Sequence, residues 1–312
     1  MLKAARIPLA QAIIAFCVLL FYALVAIAVA AGRGQDQPSQ PPRDLVRAAV
    51  ANEIAAESAT SPRHMFRDRK QTPHGTQTRL YVETTQAMAA LAVAFNDQPL
   101  DAEQKQAESD RLARLINSPE QLRKKQAREK EDEERTLLIV KALPDAFNYE
   151  YAPANSEAAD AVANDHLVRV NFVPNPAYNP PSHVEQVLTG MSGYLLIDAQ
   201  RKRLARIDGT LTKEVTFGWG IFGHLDKGGH FLVQQGDVAG GEWDLIRMSL
   251  NFTGKIFMFK SLNISSDEVF SDYRQVPANL TFAQGVEMLM SEQDRLAHAA
   301  RGDESAMNKH AK

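Results

Sequence analysis

Alternation between apolar and polar side chains dominates the chain from residue 148 to residue 273. In the run HLVRVNFV, Val168, Val170 and Phe172 fall on one side of an extended backbone and their neighbours fall on the other. Further short strand-like runs follow in GYLLID, LARIDGTLTKEVTFG, HFLVQQ, WDLIRMSLNF and KIFMFKSLNI, and short polar turns separate them. Because no helical pattern intervenes, these runs predict an antiparallel β-sheet.

The segment before this region predicts a helix followed by a strand hairpin. A short amphipathic helix is expected over residues 45–54, because its apolar positions form one stripe. These positions are Leu45, Val46, Ala49, Val50 and Ile54. Further on, the turn from Thr72 to Gly75 joins two polar–apolar runs and indicates a hairpin.

Residues 101–143 form a charged helical stretch. Asp101 and Ser118 are each followed three residues later by a glutamine, which is the spacing of two helix N-caps. Beyond the second cap, the run RKKQAREKEDEER places opposite charges four residues apart, as at Lys125 and Glu129. A helix surface stabilised by ion pairs is the interpretation that we favour, and a binding surface is the alternative.

A final helix closes the pattern. Thr281 and Gln284 match a capping box. One face of the helix that follows carries Val286, Leu289, Gln293 and Leu296, with Met290 beside it. The helix is expected to fade near Gly302 into a polar tail over residues 302–312.

Residues 1–31 predict an export signal or an N-terminal membrane anchor. Lys3 and Arg6 precede an uncharged run over residues 12–31, which is long enough to cross a bilayer. Small residues near Ala28 also suit cleavage by a signal peptidase, so a cleaved signal and a retained anchor both stay open. In either case the positive charges stay in the cytoplasm, and the remainder is expected in the periplasm or anchored to the inner membrane facing it.

The remaining organisation is one folded domain behind a spacer. Residues 32–43 are rich in glycine, proline and glutamine, which is typical of a flexible linker. The domain itself is expected over residues 44–301, with the charged helices as an insertion over residues 101–143.

Composition narrows the function. Of the 312 residues, 45% are hydrophobic and 23% are charged, and the net charge of −3 provides no basic field that would attract nucleic acid. The single cysteine, Cys17, lies inside the N-terminal apolar run. The folded part therefore has no disulfide, no thiolate metal site and no cysteine nucleophile.

The stretch FGWGIFGHLDKGGHF contains the Gly218-x-Gly220-x-x-Gly223 spacing of a dinucleotide-binding loop. Such a loop needs a helix after the glycines, because the helix N-terminus binds the pyrophosphate. A glycine pair and a β-run follow Gly223 instead. We therefore expect a bent or bulged strand and predict that the protein binds no nucleotide.

No catalytic or metal-binding set is predicted either. His224, Asp226 and His230 could converge across a tight turn, but a third strong ligand is missing nearby, and ordinary turn residues are the favoured interpretation. His183 lacks the partner histidine of a zinc-helix motif, and the sequence around Ser192 lacks the spacing of a nucleophile elbow. The protein is thus expected to be neither an enzyme nor a cofactor-binding protein.

The most informative segment is WDLIRMSLNFTGKIFMFKSLNI. If Thr253-Gly254 is a two-residue hairpin turn, Leu250 faces Phe257 and Met248 faces Phe259 across it. One face then carries six large apolar side chains, which we predict to bind a ligand: Ile246, Met248, Leu250, Phe252, Phe257 and Phe259. Phenylalanine and methionine suit such a face because they are large and adaptable.

The hairpin within SGYLLIDAQRKRLARIDGTL resembles the periplasmic half-barrel family. Its matching residues are a strand that ends at Ile197-Asp198, a polar turn, and a strand from Leu204 to Asp208. This family includes the lipoprotein-sorting carriers LolA and LolB and the RseB-type stress sensors. The resemblance extends in outline over residues 44–273, with the charged helices as an insertion relative to the simple carriers.

The resemblance implies an α+β fold, in which a curved antiparallel half-barrel sheet is covered by helices and holds acyl chains on its concave face. It also implies no catalytic residue. The expected function is therefore that of an exported, non-catalytic protein that binds a lipid, an acyl chain or a lipidated protein. A protein-interaction or stress-sensing module without lipid is the alternative, and a metal-dependent hydrolase is a third candidate.

Overall fold

The computed structural model describes residues 40–58, 62–153, 166–217, 223–239, 241–256 and 260–310. Its helices are α1 (Pro42–Ser58), α2 (Ala102–Asn117), α3 (Pro119–Ala146), the short α4 (His183–Gln186) with a 3-10 turn at Val187–Gly190, and α5 (Phe282–His310). The strands of the first half are β1 (Arg63–Thr72), β2 (Gly75–Val82), β3 (Ala89–Phe95), β4 (Gln98–Pro99), β5 (Phe147–Tyr151) and β6 (Leu167–Pro174). They are followed by β7 (Met191–Asp198), β8 (Arg203–Leu211), β9 (Val215–Phe217), β10 (Gly223–Leu225), β11 (His230–Ala239), β12 (Glu242–Ile256) and β13 (Lys260–Val276).

The strands form one large open antiparallel sheet, which confirms the predicted α+β class. Its order is β4-β3-β2-β1-β13-β12-β11-β8-β7-β6-β5, and β10 pairs with β12 and with β9 beside this path. By contact density, the described residues divide into two compact units. The first contains residues 62–131 and 268–310, and the second contains residues 40–58 and 132–267 apart from the segments that are not described.

The first unit has its core between α5, α2 and one face of β1–β3. The predicted hairpin is confirmed, since Thr72 pairs with Gly75 at its tip. Leu112 of α2 and Phe282, Val286 and Leu289 of α5 are buried in the same cluster as side chains from the three strands. The three predicted caps form: Asp101 and Gln104 make a complete capping box, and the amides of Gln121 and Gln284 donate to the hydroxyls of Ser118 and Thr281.

The second unit has its core on the face shared by β6, β7, β8, β11 and β12. Leu250 pairs with Phe231, which pairs with Gly209, which in turn pairs with Gly193. A side chain at Gly209 would place its Cβ 2.5 Å from the Phe231 ring, so the absent side chain makes room for this aromatic ring. Helix α1 packs on β8 and β5 through its predicted apolar stripe, and Leu45, Val46, Ala49 and Val50 are buried.

The predicted hairpin turn at Thr253-Gly254 is wrong. Strand β12 continues through both residues to Ile256, and its last residues pair with β10, with Gly254 opposite Leu225. A Cβ at Gly254 would lie 2.1 Å from the carbonyl oxygen of His224. The glycine therefore permits a close approach of β10 and does not mark a chain reversal.

Three element boundaries also differ from the prediction. Helix α1 begins at Pro42, so the last residues of the predicted linker are helical. The charged stretch forms two helices, as its caps predict, but α3 extends to Ala146. Helix α5 passes Gly302 and ends at His310, where a polar tail was expected.

Candidate functional site

Only four of the six predicted ligand-binding residues lie in the described part of the chain, and they do not form one exposed face. Met248, Leu250 and Phe252 are 1%, 4% and 0% exposed, and they contribute to the core of the second unit. Ile246 is partly exposed and lines a cleft instead. Phe257 and Phe259 lie outside the described residues, so the structure does not describe the facing pairs that were predicted for them.

The cleft that contains Ile246 has a volume of about 520 Å³ and lies entirely within the second unit. We name it the Trp243 cleft. Its walls are polar residues and a smaller apolar set, contributed by β6, β7, β8, β11, β12 and the turn after β7. They are His166, Leu167, Leu196, Asp198, Gln200, Arg201, Ala205, Arg206, Gln234, Gln235, Gly236, Asp237, Trp243 and Ile246.

Two β-bulges, one in β8 and one in β12, lie at this cleft. Leu196 pairs with Arg206 while Ile197 pairs with Leu204, so Ala205 is an extra residue in β8. In the same way, Gln234 pairs with Arg247 while Gln235 pairs with Leu245, which makes Ile246 an extra residue in β12. Both extra residues line the cleft. Bulges of this kind redirect side chains and recur next to binding sites.

One wall of the cleft is a hydrogen-bonded network around Arg206. This side chain is 8% exposed, and its guanidinium donates to the Tyr194 hydroxyl at 3.2 Å and to the Gln234 side-chain oxygen at 3.0 Å. The guanidinium carbon of Arg169 lies 3.9 Å from the centroid of the Tyr194 ring, close enough for a cation–π contact. The network fixes Arg206 and Gln234 in place before any ligand arrives.

The opposite wall is built around Trp243. Its indole N–H donates to the backbone oxygen of Leu204 at 3.0 Å, which fixes the ring plane. Arg201 lies 5.3 Å from the ring centroid and also donates to a carboxylate oxygen of Asp237 at 3.1 Å. Asp198 accepts hydrogen bonds from the backbone amides of Gln200 and Arg201, which holds the turn in shape.

Gln235 supplies an unsatisfied acceptor. Its side-chain oxygen is buried and has no hydrogen-bond partner among the residues that the structure describes. A buried amide oxygen without a donor costs about 1–3 kcal/mol, and its burial also keeps it out of reach of a ligand in the cleft. The cleft combines an aromatic ring with polar groups that hydrogen bonds hold in place, and both are components of a small-molecule site.

Sequence reasoning missed this cleft, although the sequence holds a faint sign of it. Leu204-Ala205 and Leu245-Ile246 are adjacent apolar pairs that interrupt the strict alternation of their strands. An interruption of the period-2 pattern within a strand indicates a bulge. The sequence gives no sign that the two interruptions lie at the same place in the sheet.

The three candidate metal ligands do not converge. His230 lies 2.9 Å from a carboxylate oxygen of Asp208, away from His224. His224 lies 3.4 Å from Asp226, and the ligand atoms of these two and of Glu214 all fall within 4.8 Å of one another. Within the described part of the chain, Glu214, His224 and Asp226 therefore place ligand atoms close enough together for one divalent cation. Glu214 was not among the predicted ligands.

The geometry around Asp226 and Asp208 is explained by ordinary contacts. The Thr253 hydroxyl donates to Asp226 at 2.7 Å, and a ring nitrogen of His224 lies 3.4 Å from the same carboxylate. Burial raises the pKa of Asp208, but hydrogen bonds from His230 and Tyr194 outweigh that effect and hold its pKa below the usual range.

The described part of the glycine stretch is extended from Gly223 to Leu225. Gly218 and Gly220 lie outside the described residues, but Gly223 begins β10, which pairs with β9 and β12. Gly223 has φ +133°, and a Cβ there would lie 2.2 Å from the backbone oxygen of Lys255. The predicted β-run after Gly223 is therefore confirmed where the structure describes it.

The first unit contains a separate group of buried charges. Asp68 and Glu268 are 4% and 1% exposed, and Lys70 donates to Glu268 at 2.7 Å. One carboxylate oxygen of Asp68 is buried without a hydrogen-bond partner among the described residues. Burial, with a further contribution from the charge of Glu268, raises the pKa of Asp68 to about 7.

Comparison with known proteins gives no identification: no family model, no curated protein and no solved structure matches the chain. Among the helices described, none is both long enough and apolar enough to cross a bilayer. The predicted export segment, residues 1–31, lies outside the described part.

Proposed function

We propose that the chain is an exported, non-catalytic binding protein that holds a small ligand in the Trp243 cleft. The observation that carries this proposal is the convergence of two strand bulges, since the extra residues Ala205 and Ile246 both line the cleft. A register shift sacrifices ladder hydrogen bonds, and two shifts that serve one cavity indicate a shaped site. The volume of about 520 Å³ lies within the range of small-ligand sites, about 300–1,000 Å³.

The expected acyl-binding face is the weaker candidate for the ligand site. Met248, Leu250 and Phe252 are already buried in the protein core. An acyl chain would therefore bury little additional apolar surface by binding against them. A lipid or lipidated protein remains part of the proposal as a class of ligand, with its polar end rather than its chain in the cleft. The cleft can accept a polar end because amides, guanidinium groups and carboxylates lie in its walls beside the apolar side chains.

A half-barrel architecture of the kind found in lipoprotein carriers is part of the same proposal. It is supported by the open antiparallel sheet, by α1 packed on β8, and by α5 packed on β2 and β3. Export is supported by Lys3 and Arg6 ahead of the uncharged run. A reporter enzyme that is active only outside the cytoplasm should be active when fused after Lys312, and its silence would contradict export.

The test of binding uses a variant that fills the cleft. The full chain is incubated with the lipid and small-molecule fraction of the producing cells' envelope, dialysed and measured by native mass spectrometry. We expect a retained mass on the wild type that is lost in Ile246→Trp, because the larger ring occupies the cleft. Val269→Trp is the matched control, since Val269 lies in β13, is 40% exposed and does not line the cleft.

Two results would contradict the proposal. The first is a wild type that retains nothing from the extract, and this would favour the interaction or stress-sensing module expected from the charged helices. The second is a retained mass that Ile246→Trp leaves in place, which would locate the ligand elsewhere.

A further inference from the structure

We propose that Glu214, His224 and Asp226 together bind one divalent transition-metal ion of the zinc type, and that this ion links β9 to β10. None of the three residues lines the Trp243 cleft, so the inference is independent of the proposed binding function. The sequence suggested that a third strong ligand is missing beside His224 and Asp226. Glu214, which directly precedes β9, supplies that ligand.

The strand register brings the three side chains to one face of the sheet. His224 lies in β10 and Asp226 directly follows β10, and side chains two residues apart in an extended chain point to the same side. Val215 of β9 pairs with Leu225 of β10. Continued by one position, this register puts Glu214 opposite Asp226, and opposite residues share a face. Val215 and Leu225 are each 0% exposed, so this pair faces the core and the ligand residues face outward.

The distances fit a single ion. Nε2 of His224 lies 3.4 Å from Oδ1 of Asp226, and the ligand atoms of all three residues lie within 4.8 Å of one another. Nitrogen and oxygen ligands lie about 2.0–2.2 Å from zinc, which places two ligands of a tetrahedral ion about 3.4 Å apart. The His224–Asp226 pair already has this spacing. Glu214 is exposed, so rotation of its side chain can close the remaining separation.

Neighbouring contacts hold two of the ligands in place. Oδ2 of Asp226 accepts a hydrogen bond from the Thr253 hydroxyl at 2.7 Å, while Oδ1 lies on the side of His224. The Asp226 amide donates to the Thr253 backbone oxygen at 2.9 Å, which also ties this residue to β12. His224 pairs with Thr216 on one side and with Lys255 on the other. Outer partners of this kind orient metal ligands and raise the affinity for the ion.

The donor set determines the kind of ion. An imidazole nitrogen with carboxylate oxygens suits zinc and its neighbours among the transition metals, whereas calcium and magnesium prefer oxygen ligands alone. The two carboxylates balance the charge of a divalent ion. Lys255 lies opposite His224, but its side chain is exposed and can keep its ammonium group in solvent. The side chains of His224 and Asp226 are 27% and 44% exposed, so an ion can enter and water can complete its coordination.

The ion would give β9 a second link to the sheet. Among the described strands, β9 pairs with β10 alone. An ion shared by Glu214 and Asp226 joins the start of β9 to the end of β10. Because it binds the folded arrangement and not the unfolded chain, zinc should stabilise the protein.

The experiment measures zinc binding to the untagged full chain. The protein is stripped with a chelator and titrated with zinc chloride by calorimetry, and the titration is repeated in excess calcium and in excess magnesium. We expect one zinc ion per chain, which neither competitor displaces. Glu214→Gln, His224→Gln and Asp226→Asn should each weaken zinc binding by about tenfold or more. Circular dichroism should show all three variants folded, because none of these residues is buried.

His230→Gln is the matched control. His230 is also a partly exposed histidine beside a carboxylate, 2.9 Å from Asp208, but no third ligand joins that pair in the described part of the chain. This variant should bind zinc as the wild type does. Thermal denaturation provides a second readout: zinc should raise the melting temperature of the wild type and of His230→Gln, but not that of His224→Gln.

Three results would overturn the inference. A chain that shows no saturable zinc binding, or that binds several weak ions which the three variants leave in place, has no site at these residues. Tighter binding of calcium or magnesium than of zinc would contradict the role of the imidazole. Zinc binding that leaves the melting temperature unchanged would contradict the link between β9 and β10.

Discussion

Asp68 contributes to the pH dependence of the protein's stability. Its carboxyl lies on a buried face of β1 beside Glu268, and burial raises its pKa from 3.8 to about 7. The folded state therefore holds the proton more tightly than the unfolded state does. The stabilisation from this group is fully present below pH 3.8 and is lost as the pH rises through 7.

Asp68→Asn should raise the free energy of unfolding at pH 8 by on the order of 2 kcal/mol, because it keeps the shape and removes the buried charge. At pH 4 the variant and the wild type should differ little. Urea denaturation at both pH values measures this. Asp97→Asn is the control: Asp97 is exposed, and a hydrogen bond from Arg69 lowers its pKa, so no gain is expected at pH 8.

A uniform shift of the Asp68→Asn stability at both pH values would contradict this account. Such a result would mean that the substitution acts through packing or hydrogen bonding and not through the proton.

Within strand β12, two apolar residues four positions apart should respond oppositely to a charge. Leu250→Arg places a guanidinium where the side chain is 4% exposed, against Phe231 and the glycine row, and we expect a loss of at least several kcal/mol and no folded protein. Ile246→Arg changes a partly exposed residue of the cleft wall, so the variant should fold and lose ligand. Circular dichroism and thermal denaturation distinguish the two.

A folded Leu250→Arg variant that loses ligand would reverse this assignment. It would restore the acyl-binding face that the sequence predicts and would make the Trp243 cleft secondary.

At the scale of the element, the sequence predicts those strands and helix starts that residues close together in the chain determine. Alternation identifies β6, β7 and β11, and the side chains of Asp101 and Thr281 locate two helix starts because their bonds span only three residues. Strand β3 is not predicted, since Ala89–Phe95 is a short alanine-rich run that suits a helix as well. Gly254 is misread for a related reason: a glycine that admits a neighbouring strand looks the same as one that turns the chain.

The candidate site is less predictable than the elements that form it. Trp243, Gln235 and Arg206 come from three strands and meet because two bulges coincide in space. Pairing between strands that are distant in sequence determines such a coincidence, and periodicity within one strand carries no record of it.

At the scale of the whole molecule, each unit is assembled from segments far apart in the chain. Residues 62–131 share their unit with residues 268–310, so the last helix completes a core that the first strands begin. Helix α5 is therefore part of the core of the first unit, and neither unit is continuous in the sequence. A domain plan read linearly along the sequence cannot reveal this.

Removal of residues 279–312 should prevent folding of the first unit. The deletion takes away Phe282, Val286 and Leu289, which are 1%, 2% and 0% exposed. Loss of each large core side chain costs about 2–5 kcal/mol, so loss of all three costs about as much as the whole stability of a typical domain, about 5–15 kcal/mol. A chain that ends at Ala300 keeps these residues and is the control; solubility and binding of a hydrophobic dye measure the difference. A soluble, dye-silent truncation at residue 278 would contradict the role given to α5.

The main strand order has two margins, one at β4 and one at β5. Their form determines how readily a strand of a second molecule can pair with them. A margin with free backbone amides is a template for a strand from a second molecule, and this is the first step of aggregation. At one margin, β4 is two residues long and ends at Pro99, which has no amide hydrogen to offer. At the other, β5 has α1 packed against it, and its last residue, Tyr151, donates to the Gln40 backbone. Both ends of the main strand order thus discourage growth of the ladder from one molecule into the next.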